Sequence, residues 1–270
     1  MPELPEVETT LRGITPHIIN RQVTAVSVRQ PRLRWPVPAD LSRLLAGQTL
    51  MATARRGKYL LLTFANGTLL MHLGMSGSLR IVPLGTAPAA HDHVDIAFAG
   101  NVLRYHDPRR FGSILWQAGK ISEHALLAHL GPEPLSDEFT GAGLFARTRK
   151  RTQNIKQFLM DSKTVVGVGN IYANEALFMA GIKPIRKAGL LTRRQSDELV
   201  ARVKSVLAQA IEQGGTTLRD FVGGDGKPGY FQQQLLVYGR AGKPCVRCQK
   251  PLKEIRLGQR STVYCTACQR

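Results

Sequence analysis

Four cysteines near the carboxyl end are the residues whose type and spacing predict chemistry most directly. They form two Cys-x2-Cys pairs, Cys245 with Cys248 and Cys265 with Cys268, and the chain has no other cysteine. Each pair can turn tightly and offer two thiolates to one tetrahedral ion, so the two pairs together predict a zinc site. Four thiolates leave no position for substrate or water, and the predicted ion is structural. Two disulfides, or idle thiols, are the alternative.

The charge of the chain indicates the class of partner. Lysine and arginine number 37 against 19 acidic residues, which gives a net charge of +18. Such an excess favours a polyanion, and nucleic acid is the commonest one. The last 30 residues hold seven basic residues and one acid, so the predicted metal module suits a phosphate backbone. A basic ribosomal protein or a membrane-surface protein fits the same charge.

The chain carries no signal for membrane insertion or secretion. No apolar run approaches the roughly 20 residues that a membrane span needs. The opening residues Met1-Pro2-Glu3-Leu4 lack the basic start and apolar core of a secretory signal. We therefore expect a cytoplasmic protein that makes no membrane contact.

Pro2 is a second position with chemical potential. Removal of the initiator Met1 would expose a prolyl amine, and an α-amino group has a pKa near 8 rather than the value of about 10.4 for lysine. A secondary amine condenses with a sugar aldehyde to a cationic iminium, which is an electron sink for elimination. A proline that simply begins a helix is the alternative. Glu3 beside it fits either a general acid or a helix-terminal acid.

The residue pattern predicts an α+β chain whose first region is a β-sandwich or a β-barrel with the first helix packed on it. An amphipathic helix over about 3–20 precedes short strands, two pairs of which read as hairpins through the turns Asn66-Gly67 and Gly100-Asn101. After the break Gly131-Pro132-Glu133-Pro134 the period becomes helical. The predicted strands are Val23–Val28, Tyr59–Phe64, Thr68–His72, Ser78–Val82, Val94–Phe98 and Val102–Tyr105.

Two glycine turns organise the helical region. Gly167-Val168-Gly169 is followed by Asn170, which is predicted to cap a helix over about 171–180. Thr192 with Gln195 predicts a capping box at the start of a longer helix that ends at Gly214-Gly215. Two helices joined by a glycine turn resemble a helix-turn-helix variant.

Nine segments occur together and in order along essentially the whole chain. They are Pro2–Glu8, Arg56–Leu60, His72–Ser78, Asp107–Gly112, Val165–Asn174, Gly214–Thr217, Asp225–Phe231, Val237–Gly242 and the four cysteines. This set closely resembles bacterial formamidopyrimidine-DNA glycosylase. The resemblance implies an N-terminal β-sandwich domain over 1–132 and a helical helix-two-turn-helix domain over 133–215. It also implies a lesion-recognition loop over 216–235 and a four-cysteine zinc finger over 236–270.

The resemblance also implies a function and a set of site residues. The expected protein is a monomeric DNA glycosylase and abasic-site lyase that excises oxidised purines from damaged double-stranded DNA and holds one structural Zn²⁺. Pro2 is the implied nucleophile, Glu3 the acid at the sugar, Lys58 a proton donor in β-elimination, and Arg260 the residue of δ-elimination. The implied DNA-binding residues are His72, Met75, His91, Arg110, Phe111, Arg151, Lys156 and Asn170. Met75, Arg110 and Phe111 among them would fill the gap that the extruded nucleotide leaves.

Two alternatives and one departure accompany the resemblance. The sibling endonuclease VIII type prefers oxidised pyrimidines, and a zinc-ribbon protein could bind DNA without catalysis. The sequence Pro2-Glu3-Leu4-Pro5 and the glycine-rich loop favour the purine enzyme, and Lys58 with Arg260 argues against loss of catalysis. Gln249 follows the second cysteine, where glycine is frequent in the family, so the turn geometry of that knuckle is in question.

Overall fold

A computed structural model describes residues 2–215 and 234–270. The chain divides into two compact units, one formed by residues 2–128 with 213–215 and the other by residues 129–212 with 234–270. The helical segment and the cysteine module therefore share the second unit. The predicted limits at 132, 215 and 235 stay predictions, and most of the predicted loop over 216–235 lies outside the described residues.

The first unit consists of one long helix, a short helix and two antiparallel four-stranded sheets. One sheet has the order β1-β6-β7-β5 and the other β2-β3-β4-β8. Its elements are α1 (Leu4–Ile18), β1 (Val23–Val28), α2 (Leu41–Leu45), β2 (Ala52–Arg56), β3 (Tyr59–Phe64), β4 (Gly67–His72), β5 (Ser78–Pro83), β6 (Asp92–Phe98), β7 (Asn101–His106) and β8 (Ser113–Gln117).

A single hydrophobic core holds this unit together. Ile14 of α1, Leu41 of α2, Leu62 of β3 and Phe98 of β6 are all completely or almost completely buried in it. Alternation in the antiparallel strands turns one face of each sheet toward that core. The β3–β4 and β6–β7 hairpins form where the turn residues predict them, and the predicted β-sandwich with a leading helix is confirmed.

The second unit is helical with a terminal β-hairpin. Its helices are α3 (Gly141–Thr148), α4 (Ile155–Met160), α5 (Asn170–Met179) and α6 (Arg193–Glu212), and its strands are β9 (Lys253–Leu257) and β10 (Arg260–Tyr264). The predicted capping box is present, since Thr192 N donates to Gln195 Oε1 and Gln195 N donates to Thr192 Oγ1. Gly181 follows the end of α5 with a left-handed φ of +68°, a conformation that glycine adopts without strain.

Several features differ from the sequence prediction, among them helix α3, which the sequence did not predict. The strands β2 and β8 and the short helix α2 were not predicted, and both strands lie at the edges of their sheet. Asn170 is not the cap of α5 but its first helical residue, because the extended residue before the helix is Gly169. Glycine has no side chain, so this helix begins without a side-chain cap.

Candidate active site and zinc centre

The four cysteine sulfurs form one compact cluster. All four Sγ atoms lie within 4.8 Å of one another, with Cys245 Sγ 3.9 Å from Cys268 Sγ and Cys248 Sγ 3.4 Å from Cys265 Sγ. Sulfurs around a tetrahedral zinc lie about 3.8 Å apart, whereas a disulfide bond is about 2.05 Å long. The cluster fits one structural zinc ion held by both knuckles, and the disulfide alternative is wrong.

The local backbone of each knuckle supports thiolate ligands. Arg247 N donates to Cys245 Sγ, and Cys268 N donates to Cys265 Sγ, both at 3.4 Å. Hydrogen bonds to ligand sulfurs stabilise their charge and orient them. Gln249 has a φ of +63°, so the turn after the second cysteine needs the left-handed conformation. This need explains why glycine suits the position, and the knuckle still closes with glutamine there.

A buried carboxylate connects α5 to the segment that leads into the finger. Glu175 is 1% exposed, and its two carboxylate oxygens accept the backbone N–H groups of Leu236, Val237 and Tyr238 at 2.8–3.0 Å. Burial raises the pKa of Glu175, and the three backbone donors act in the opposite direction. The carboxylate therefore fixes the course of the chain where it enters the zinc module.

Arg260 begins β10 immediately after the turn of the finger hairpin. Gly258 and Gln259 both have positive φ, +53° and +62°, the pattern of a tight two-residue hairpin turn. The Arg260 side chain is exposed. Together with Lys156, it lines a cleft of about 270 Å³ between α4 and the turn. The hairpin thus presents one guanidinium beside a basic cleft.

The start of α5 lies on the same face of the second unit as β10. Asn174 Nδ2 donates to Asn170 O at 2.6 Å, and Asn174 Oδ1 accepts Val263 N at 3.0 Å. Asn170 Oδ1 is buried and has no hydrogen-bond partner among the described residues. A helix N-terminus favours anions through its free N–H groups. Arg151 lies on an exposed segment ahead of α4.

Pro2 lies directly ahead of α1 and is buried. Glu3 and Glu6 follow it with exposures of 2% and 0%, and Glu6 Oε2 accepts Glu3 N at 2.8 Å. Glu3 is the N-cap of α1 and Glu6 lies in its first turn, so both carboxylic groups lie in the positive field of the helix N-terminus. The structure therefore places two carboxylic groups close in sequence to the predicted nucleophile.

The turn that carries Lys58 is tied to the same helix. Glu8 of α1 binds Arg55 Nε at 2.9 Å, and Arg55 Nη1 donates to Gly57 O at 3.0 Å. Burial acts to raise the pKa of Glu8, but the hydrogen bonds from Arg55 and Arg12 hold it below its usual value. The ion pair thus fixes the β2–β3 turn, including Lys58, against α1.

His72 is held neutral next to this turn. Burial, helped by the positive charges of Lys58 and Arg34, lowers its pKa to about 4 against the opposing effect of Asp107. Its Nδ1 accepts Gly74 N at 3.0 Å, and its ring lies 4.9 Å from the ring of Tyr59. His72 is therefore a hydrogen-bonding group rather than a cation at neutral pH.

The two segments with the predicted gap-filling residues meet around Asp107. Its carboxylate is completely buried and accepts Ser76 Oγ at 2.7 Å, Gly112 N at 2.9 Å and Tyr105 OH at 3.3 Å. A Cβ at Gly74 would collide with the backbone of Phe111 and Gly112, so the two loops are in direct backbone contact.

The side chains that these loops carry are accessible. Phe111 is 47% exposed, and Arg109 stacks on its ring at 5.0 Å. Arg110 is exposed and has a φ of +56°, while Met75 is partly buried. An exposed aromatic ring beside two arginines on a rigid loop is suited to insertion into a base stack.

His91 lies on the other side of Asp107. It has a φ of +68°, and its carbonyl accepts Asp107 N at 3.1 Å. Its ring is about 6 Å from the rings of His93 and His106. The first unit thus brings His72, Met75, His91, Arg110 and Phe111 together around one buried carboxylate.

Sequence reasoning missed the residues that hold these groups. In the sequence, Asp107 is only the first residue of the segment Asp107–Gly112, and no motif singles out Asn174, Glu175 or Thr262. One signal was available for Asn174 and Glu175, because they interrupt an apolar helical segment, and buried polar residues in such a segment need partners. The helix sequence alone does not say where the partners lie.

Three family models match successive parts of the chain. They describe the formamidopyrimidine-DNA glycosylase N-terminal domain over residues 1–114, the H2TH domain of the same glycosylase over 130–222, and a zinc finger found in FPG and IleRS over 242–270. Together with the described fold and zinc centre, these matches define a DNA glycosylase that carries an H2TH domain and a zinc finger.

Full-length relatives give the family. The chain is 68% identical to formamidopyrimidine-DNA glycosylase of Cellvibrio japonicus and 64% identical to that of Saccharophagus degradans, with complete coverage of both chains in each case. The fold is similar to a Lactococcus lactis FPG variant bound to DNA that contains Fapy-dG, with TM-score 0.93, 32% identity and 100% coverage of both chains. It is also similar to the MutM (FPG) protein of Thermus thermophilus, with TM-score 0.90, 38% identity and coverage of 99% and 98%. The chain belongs to the formamidopyrimidine-DNA glycosylase family.

The membrane question has a direct structural answer for the described part of the chain. Among residues 2–215 and 234–270, no helix is both long and apolar enough to cross a membrane.

Proposed function

We propose that the protein removes oxidised purines, such as 8-oxoguanine and formamidopyrimidines, from duplex DNA and then cleaves the strand by β- and δ-elimination. The observation that carries this proposal is the position of Pro2 directly ahead of a helix whose N-cap is the buried Glu3 and whose first turn holds the buried Glu6. After removal of Met1, Pro2 is a secondary amine with a pKa near 8, so part of it is unprotonated at neutral pH.

The proposed reaction uses that amine as the nucleophile. The Pro2 nitrogen bonds to C1′ of the sugar while the C1′–N bond to the damaged base breaks and the base leaves with a proton. Glu3 manages the protons at the sugar as the ring opens to a cationic iminium. The iminium draws electrons, so loss of a C2′ proton breaks the C3′–O bond, and loss of a C4′ proton then breaks the C5′–O bond. Water finally hydrolyses the imine and frees Pro2.

Lys58 and Arg260 are assigned to the elimination steps. Lys58 lies on the turn that Arg55 and Glu8 fix to α1, and it supplies a proton during β-elimination. Arg260 lies at the tip of the finger hairpin, where a guanidinium can bind the phosphate that departs in δ-elimination. The zinc ion supplies no chemistry in this scheme, because its four ligands are all thiolates.

The DNA-binding residues fall into two groups by chemistry. His91, Arg110, Arg151 and Asn170 are proposed to hold phosphates, since basic side chains and a helix N-terminus bind them without regard to sequence. Met75, Arg110 and Phe111 are proposed to occupy the gap in the stack. Extrusion of a base costs a few kcal/mol. The exposed Phe111 ring offsets part of this cost by stacking on the neighbouring bases. We expect a monomer, with lesion recognition by the loop over 216–235.

A substrate comparison tests the proposal. Purified protein is incubated with duplexes that carry 8-oxoguanine opposite cytosine, thymine glycol, or a preformed abasic site. We expect excision of 8-oxoguanine and incision of the abasic site. Preference for thymine glycol would support the pyrimidine-specific sibling type, and failure to incise the abasic duplex would support a DNA-binding protein without catalysis.

A further inference from the structure

The ammonium group of Lys156 lies inside the second unit rather than on its surface. The residue is 1% exposed, and it is the second residue of α4, whose N-cap is Asn154. A buried charge is costly unless hydrogen bonds satisfy it. The partners that the structure gives to this ammonium therefore indicate what it does.

Those partners lie next to Arg260 in the finger hairpin. Lys156 Nζ donates to Ser261 O at 2.9 Å and to Thr262 Oγ1 at 2.7 Å. Thr262 Oγ1 in turn donates to Arg260 O at 3.3 Å. Thr262 is completely buried, so its hydroxyl relays the position of the ammonium to the backbone of Arg260.

Gln157, the next residue of α4, also contacts the finger hairpin. Gln157 lies under the hairpin turn, where a Cβ on Gly258 would collide with its amide nitrogen. Gln157 is itself fixed by Asn154, whose Oδ1 accepts Gln157 N at 2.9 Å. Two consecutive residues of α4 thus define where the turn and the first residues of β10 lie.

We propose that Lys156 is a positioning residue that anchors the finger hairpin and thereby places Arg260, with Thr262 as the link. This proposal rests on the proposed function, in which Arg260 serves δ-elimination. It replaces the expectation that Lys156 grips a DNA phosphate directly. Misplacement of a reacting group by about 1 Å can slow a step by roughly a hundredfold, so loss of the anchor acts on δ-elimination in particular.

A matched pair of variants at Thr262 tests the link. Thr262→Val keeps the shape of the side chain and removes the hydroxyl, whereas Thr262→Ser keeps the hydroxyl. In single-turnover assays on an abasic duplex, we expect Thr262→Val to lower the ratio of δ- to β-elimination product about tenfold or more. Thr262→Ser should retain at least about half of the wild-type ratio. Equal ratios for the valine variant and the wild-type protein would overturn the link.

The salt dependence of binding separates the two roles of Lys156. Each lysine that neutralises a phosphate adds about 0.9 to the slope of log K against log salt concentration. We expect Lys156→Met to lower the δ to β ratio as Thr262→Val does and to leave this slope unchanged. A slope reduced by about 0.9 in Lys156→Met but unchanged in Thr262→Val would show a direct phosphate contact of Lys156 and would overturn the proposal.

Two further measurements keep the test independent of the role of Arg260. Amide hydrogen exchange of Ser261, Thr262 and Val263 should be at least about tenfold faster in Thr262→Val than in Thr262→Ser, and unchanged exchange would overturn the anchor. Arg260→Gln should lose the δ-product. If Arg260→Gln keeps the δ-product, the assignment of Arg260 to δ-elimination is wrong. The exchange data still test whether Lys156 and Thr262 anchor the hairpin. Retained zinc in every variant shows that the finger is folded.

Discussion

Ser76 Oγ donates to Asp107 Oδ1 at 2.7 Å, and this hydrogen bond joins the loop of Met75 to the loop of Arg110 and Phe111. The same carboxylate accepts Gly112 N at 2.9 Å at the far end of the second loop. Two segments whose bonded residues are 31 positions apart in the chain therefore share one buried anchor. This anchor therefore fixes the backbone of the two loops that carry Met75, Arg110 and Phe111.

Asp107→Asn should damage both loops. An amide cannot accept all of the donors that the carboxylate accepts, and a buried donor left without an acceptor costs about 1–3 kcal/mol. We expect a loss of that size in the free energy of unfolding, measured by denaturant titration, and slower excision of 8-oxoguanine. Asp40→Asn is the matched control, because Asp40 is half exposed and pairs with the exposed Arg43. Equal stability of the two variants would contradict the role of Asp107 as an anchor.

His72 should make the protein less stable in mild acid. Its pKa is lowered to about 4 in the folded protein from a usual value of 6.5, so the unfolded chain binds a proton between these values that the folded chain does not. Stability from the neutral histidine is fully present above pH 6.5 and is lost as the pH falls toward 4. The free energy of unfolding that is lost over this pH range is on the order of 3 kcal/mol.

The measurement is the free energy of unfolding at several pH values for the wild type and His72→Asn. Asparagine keeps an acceptor for Gly74 N and removes the titrating group. The variant should therefore show a shallower decline between pH 6.5 and about 4. His17→Asn, at an exposed position of α1, is the control and should follow the wild type. Parallel curves for wild type and His72→Asn would refute the assignment.

Gln249→Gly should stabilise the zinc finger. Glutamine at a φ of +63° carries a left-handed penalty of about 1–2 kcal/mol, which glycine avoids at a smaller cost in chain entropy. We expect a net gain of up to about 1 kcal/mol, seen as slower loss of zinc to a chelator. Lys250→Gly, one residue later and without positive φ, should instead lose zinc faster. Faster zinc loss from Gln249→Gly would show that the turn is not strained.

Removal of zinc should abolish DNA binding. The finger core contains Cys245 and Cys265 together with Phe178 of α5 and Val263 of β10, so loss of the ion disrupts both the hairpin and its seat on the helix. Cys268→Ser or chelation should eliminate binding to a lesion duplex in a fluorescence anisotropy titration. Added zinc should restore binding of the chelated wild type but not of the variant. Wild-type affinity in zinc-free protein would contradict the structural role.

Local patterns were sufficient to predict much of the fold. The alternating or continuous apolar runs of β1 and β3 gave their limits without error, and regular cysteine spacing predicted the metal cluster. Strand β2 escaped prediction because Ala52–Arg56 has no buried residue and no apolar alternation. The segment is a strand because it pairs with β3. A partner that is brought close only by the fold cannot be recognised from the sequence of the segment itself.

The residues that hold the candidate site in place were predicted less completely than the fold, and the reason is physical. Motifs indicate which side chains do chemistry, but the residues that place them act through contacts distant in sequence. Lys156 binds residues 105 and 106 positions further on, and Glu175 accepts three N–H groups more than 60 positions away. A short motif cannot contain both ends of such a contact, so these roles required the folded structure.

Trapping of the covalent intermediate with borohydride tests the central claim most directly. Wild-type protein with an 8-oxoguanine duplex is treated with borohydride, which reduces an iminium to a stable amine, and the adduct is mapped by mass spectrometry. We expect one DNA adduct on the amino-terminal Pro2, with Met1 absent, and a strongly reduced yield of adduct in Pro2→Gly protein that still binds the duplex. Absence of a wild-type adduct, or an undiminished adduct in Pro2→Gly protein, would contradict the proline nucleophile.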